Sequence, residues 1–187
     1  MILRTYFKKE INNKIDKSSF SHNTKMRIKK EYNDSSKNFL EGFQLFDFIE
    51  NTLYGVLEGP PDTDYENGFF HFKIIYPDGY PLEAPPKFYF MTKIFHPNID
   101  EFGKVSIDIL QVEWCPALIL DKIIYSIQSL LDDPNPDEFV NEKAAKLYKE
   151  NKSEYEKTVR NYTSKYANFE TVQNELKKLN FKMELGN

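Results

Sequence analysis

The sequence predicts an α+β domain built around an antiparallel sheet, and three observations predict it. Short segments rich in Phe, Ile, Tyr and Leu follow one another from 43 to 90. Gly and Pro clusters separate them at spacings too short for crossover connections. From about 120 the apolar period lengthens to that of a helix and stays there.

Residues 1–21 are polar and weakly patterned, so a loose arm is expected. A first helix is expected over 23–33, where Met26 and Ile28 stand among Lys25, Arg27, Lys29 and Lys30. Strands follow at 43–49, 52–57, 69–75 and 87–90. Gly59-Pro60-Pro61, Pro77-Asp78-Gly79 and Pro85-Pro86 punctuate them. Further on, Ile123, Ile124, Ile127, Leu130 and Leu131 recur at helical spacing, which predicts a helix with a broad buried face, stopped by Pro134 and Pro136. Another helix is expected over 141–148. Ser153 and Glu156 form a capping box for the next, whose buried stripe is Tyr155, Val159, Tyr162 and Tyr166. Phe169, Val172, Leu176 and Leu179 continue an apolar stripe that by default packs on its own domain. The order is an N-terminal helix, a four-stranded antiparallel meander and C-terminal helices, with the helices set to one side of the sheet.

With 187 residues, 40% of them hydrophobic, the chain has the size of one domain with short extensions. The expected division is a basic arm at 1–21, a core domain at 22–167 and a helical extension at 168–187. No apolar run approaches the ~20 residues that span a bilayer, so no membrane association is expected. Arg4 and Lys8-Lys9 follow Met1-Ile2-Leu3 too soon for a secretory leader. A single cysteine, Cys115, excludes an internal disulfide and supplies no metal-ligand set, so no metal is expected and a cytoplasmic or nuclear location is. Residues 1–38 hold ten Lys/Arg against four Asp/Glu, or +6, which leaves −10 on the other 149 residues of a chain with net charge −4. A basic segment on an acidic body fits a partner with an acidic face. Without interleaved aromatic and basic residues it does not fit nucleic acid.

Six landmarks stand in order from 57 to 136: Leu57-Glu58-Gly59-Pro60, Gly68-Phe69-Phe70, Tyr76-Pro77-Asp78-Gly79-Tyr80-Pro81, His96-Pro97-Asn98-Ile99 with Gly103-Lys104-Val105-Ser106-Ile107-Asp108-Ile109-Leu110, Trp114-Cys115-Pro116-Ala117-Leu118, and Asp133-Pro134-Asn135-Pro136. Over residues 54–167 this pattern resembles the ubiquitin-conjugating enzyme family. The resemblance implies that family's fold. It also implies a chemistry in which a cysteine takes ubiquitin, or a ubiquitin-like modifier, from an activating enzyme as a thioester. The acyl group then passes to a substrate lysine, usually on a ubiquitin ligase. No cofactor is implied, since the ATP is consumed by the activating enzyme.

In that family the cysteine lies eight residues after the Asn of His-Pro-Asn. Here that residue is Ser106. The resemblance gives Asn98 the role of holding the oxyanion or bracing the adjacent loop, places Glu138 near the incoming lysine, and makes His96 a structural histidine. A tight turn built by Asn and Pro would account for His96 and Asn98 without chemistry. Serine lacks the accessible ionisation of a thiol and needs a base to attack well. The ester it forms is more stable than a thioester, so loading is favoured over release. The readings left open are a serine introduced to trap the conjugate, a natural inactive variant that binds ubiquitin or a ligase, and a displaced nucleophile at Cys115.

By the same resemblance the first helix, with Lys25, Arg27, Lys29 and Lys30, faces the activating enzyme, and Leu82, Pro116 and Ala117 face the ligase. The loop 80–86 is one residue longer than the family's common form, which leaves the placement of Leu82 open.

Overall fold

A computed structural model describes residues 2–3, 8–37, 42–181, 183 and 185–186. Positions 1 and 4–7 of the arm, and 182, 184 and 187 of the extension, lie outside the described residues. The elements are β1 (Ile2–Leu3), α1 (Lys9–Lys17), α2 (His22–Lys37), β2 (Phe43–Ile49), β3 (Thr52–Glu58), β4 (Phe69–Ile75), β5 (Lys87–Phe90), a 3-10 turn (Asp108–Leu110), α3 (Leu120–Asp132), α4 (Glu142–Glu150), α5 (Lys152–Tyr166), α6 (Phe169–Lys178) and β6 (Leu185–Gly186).

Strands β2 to β5 pair in sequence order as an antiparallel meander. In β2 the register shifts between Leu45 and Asp47. That bulge resets the alternation, so Leu45 and Phe48 both face the main core while Phe46 faces the opposite side. The core face of the sheet presents Leu53, Leu57, Phe70, Phe72, Ile74 and Phe88 to Ile28 and Tyr32 of α2 and to Ile123, Ile124 and Ile127 of α3. Helix α2 is longer than 23–33. Ser21 Oγ accepts from the Thr24 amide at 3.2 Å and opens it, and Thr24, Ile28, Glu31 and Ser35 follow at helical spacing on its buried side. Met26 lies on the other side, exposed.

Three expectations are corrected. The arm is not simply loose, because α1 forms within it. Ile11 and Ile15, one turn apart, are buried with Phe20 in the main core, and Tyr32 OH accepts from the Lys8 amide at 2.8 Å. Two isoleucines in a polar segment are too few to register as a period, yet enough to dock a short helix. Second, Ser153 does not cap α5. Asn151 does so, its Oδ1 accepting from the Glu154 amide at 3.2 Å, and Asn141 and Asn168 cap α4 and α6 in the same way. Third, the helices do not all lie on one side of the sheet. Val172 and Leu176 of α6 pack with Phe46, Val56 and Phe69 on its other face, joined by Leu3, Phe181 and Met183. The flanking Phe169 and Leu179 are exposed. There β1 and β6 pair antiparallel, so the described ends of the chain meet.

Candidate active site

After β5 the chain makes a loop that returns along the sheet edge. Gly103 turns it at φ +81, and a Cβ there would sit 1.9 Å from the Phe90 carbonyl oxygen. Isolated bridges pair Tyr89 with Lys104 and Ile99 with Val105. This places Ser106 directly after a fixed strand-like segment, with its amide donating to the Asn98 carbonyl at 2.9 Å.

His96 is fully buried. Its Nε2–H donates to the Leu130 carbonyl at 2.8 Å, and its Nδ1 accepts from the Asn98 amide at 2.9 Å. Both nitrogens are therefore used in one neutral tautomer, and burial pushes the imidazole pKa down to about 4. Asn98 is equally committed. Its Nδ2 donates to the carbonyls of Asn135 at 2.8 Å and Glu138 at 3.0 Å, while its Oδ1 accepts from the Asn135 amide at 2.9 Å. Both amide hydrogens of Asn98 are thus occupied by carbonyls of the 135–138 loop, and neither is directed at Ser106. Pro97 holds the same segment through its carbonyl, which accepts from the amides of Val140 and Asn141 at 2.9 Å each.

Ser106 is half-buried in an open groove of about 480 Å³. The groove is also lined by Asp108, Glu113, Asp133 and Glu138, so four acidic residues share it with the hydroxyl. Such a field disfavours an alkoxide and attracts an ammonium group. Cys115 is exposed on the following loop and is not among the lining residues. Its Sγ accepts from the Ala117 amide at 3.4 Å. One partner of Ser106 was not foreseen: Gln111 Nε2 donates to Ser106 Oγ at 2.7 Å. A glutamine after a short turn carries no signal of its own in the sequence.

The proposed docking residues fall into two groups. Leu82 is 80% exposed, Ala117 is exposed and Pro116 half-buried. Their loops are tied by Trp114 Nε1, which donates to the Pro81 carbonyl at 2.9 Å; the Tyr80–Pro81 peptide is cis. The four cations of α2 are not equivalent. Arg27 turns inward, pairing with the buried Glu31 and donating through Nη2 to the Leu118 carbonyl at 3.1 Å. Burial raises the Glu31 pKa, against the opposing effect of hydrogen bonds from Tyr80 and Arg27. Lys29 pairs with Asp16 of α1 at 2.9 Å, and Lys25 donates to the Asp16 carbonyl at 2.9 Å. Lys30 is exposed. Two of the four cations, Lys25 and Lys29, thus also hold α1.

Among the described residues no group of His, Cys, Asp or Glu is placed to hold a metal ion, and no helix is long and apolar enough to cross a membrane. A family model described as ubiquitin-conjugating enzyme matches residues 27–163, from α2 to α5 and across the whole Ser106 groove. The chain belongs to the ubiquitin-conjugating enzyme family.

Proposed function

We propose that this protein accepts ubiquitin, or a ubiquitin-like modifier, from an activating enzyme on Ser106 as an oxygen ester. Passing it to lysine amines with a ligase is the slower step. The observation that carries this reading is the position of Ser106. Its hydroxyl opens into a groove whose surrounding brace, Asn98 to Asn135 and Glu138, is complete. The acidic lining suits a cationic lysine side chain approaching the ester, with Glu138 beside it. Leu82, Pro116 and Ala117 are the proposed ligase contacts, and Lys30 with the rest of the α2 row the proposed activating-enzyme contact.

A second reading has its own observation. His96, the nearest histidine in sequence, is neutral and fully engaged, so it is no base for the serine. On that reading the protein binds modifier or ligase without chemistry. A loading assay with activating enzyme, ATP and ubiquitin separates the two. The first reading expects an adduct that survives reductant, is cleaved by hydroxide, and disappears in Ser106→Ala. If wild type stays bare while Ser106→Cys loads, the groove is competent and the second reading holds. A reductant-labile adduct on wild type would move the nucleophile to Cys115.

A further inference from the structure

Asn98 has no donor left for the charge that develops when an acyl carbon at Ser106 becomes tetrahedral. Both of its amide hydrogens are fixed on backbone carbonyls, and releasing them would free the 135–138 segment. The imidazole of His96 is buried and faces Leu130. The side chain that does reach the reacting oxygen is Gln111, whose Nε2 lies 2.7 Å from Ser106 Oγ. It is exposed and directly follows the short 3-10 turn, which its backbone amide closes by donating to the Asp108 carbonyl at 2.8 Å.

We infer that Gln111 is the oxyanion donor of this site, a catalytic residue that binds the acyl carbonyl oxygen in the tetrahedral intermediate on Ser106. This rests on the acceptor role proposed for Ser106. Before attack, one amide hydrogen holds Oγ. The carbonyl oxygen of the incoming acyl group is bonded to the carbon that Oγ attacks, so it arrives beside the same nitrogen, and a primary amide has a second hydrogen to offer it. In the step itself the Ser106 Oγ–C bond forms and the C–S bond of the activating enzyme's thioester breaks. The hydroxyl proton leaves with the departing sulfur as a thiol. Nothing is oxidised or reduced. Among the four carboxylates of the groove, a neutral donor is what offsets the transient negative charge on oxygen.

The test uses the full chain with two near-isosteric variants, Gln111→Met and Gln111→Glu, neither of which can donate. Thermal melting first establishes that both are folded. Loading from the activating enzyme is then followed as the reductant-resistant, hydroxide-labile adduct. The expected result is a loss of at least about tenfold in the rate of ester formation in both variants. A positioning role for Gln111 would also slow formation, so the deciding readout is hydrolysis of the adduct once made. Isolated ester on wild type and on each variant is exposed to the same hydroxide concentration. An oxyanion donor speeds that step too, so the variants should lose modifier at least several-fold more slowly. Equal hydrolysis rates overturn the inference while leaving ester formation on Ser106 standing. Unchanged formation rates in both variants overturn it in the same way. A wild-type chain that forms no ester overturns the acceptor role and the inference together.

Discussion

The Tyr80 hydroxyl meets both carboxylate oxygens of Glu31, at 2.7 Å and 2.8 Å. Glu31 also pairs with Arg27 and accepts from the Leu120 amide at 3.3 Å. One buried acidic side chain thus joins helix α2, the loop that carries Leu82 and the start of α3. Removing a donor from a buried charge leaves part of its desolvation uncompensated. Tyr80→Phe is therefore expected to destabilise the fold by about 1.5–3 kcal/mol, read as a lower urea midpoint. A midpoint equal to wild type would show that the bond contributes nothing net.

Acid should weaken the protein through its buried histidines. Burial lowers both His71 and His96 to about 4 from the ordinary histidine value of 6.5. The unfolded chain binds more protons than the folded one between those values, so stability is complete above about 6.5 and is lost as pH falls toward 4. Each site contributes on the order of 3 kcal/mol across that window. Glu31 acts in the opposite sense, since its raised pKa means stability is lost as pH rises above its unfolded value. The contribution of His71 is isolated by comparing wild type with His71→Leu. The variant's stability should fall less steeply through this window, by up to about 1.4 kcal/mol per pH unit. Parallel curves would mean that His71 takes up protons equally in the folded and unfolded states.

Lys29 and Lys30 should separate by substitution. Lys30→Glu is expected to weaken binding to the activating enzyme with a strong salt dependence, because exposed charge acts mainly on encounter. Lys29→Glu should do this and also lower thermal stability, since it sets a carboxylate against Asp16 and loosens α1. Equal melting temperatures for the two variants would contradict that division.

Helix α6 should behave as part of the core. Leu176 is completely buried against the outer face of the sheet, so Leu176→Ala is expected to cost about 2–5 kcal/mol. Ending the chain at Ala167 would uncover Phe46, Val56 and Phe69 together, and aggregation should appear in light scattering. A soluble truncation of unchanged stability would refute this.

Much of this was legible in the residues, for identifiable reasons. The four strands show because β-rich runs and Gly/Pro clusters alternate, and α3 shows because five apolar residues share its face. The β2 bulge does not, since 43–49 carries too many aromatics to betray a shift of phase. Helix α1 is hidden because its docking rests on Ile11 and Ile15 alone. The caps of α4 to α6 are asparagines, and at α5 the Ser153–Glu156 pattern masks Asn151 two residues earlier. Ser106, Asn98 and Glu138 of the groove, and the buried His96, stand out in the sequence through their place in a long motif. Gln111 does not, because its importance lies in a 2.7 Å contact that only the folded turn creates.

The pairing of Ile2–Leu3 with Leu185–Gly186 sets the first and last described strands side by side. Leu3 of the first strand is fully buried on the face of the sheet that α6 covers. A short linker could therefore join the two strands, and new ends could be opened at an exposed turn such as the one beside Asp62. Such a circular permutant would keep every strand pairing of the sheet while changing only the order in which the chain is read.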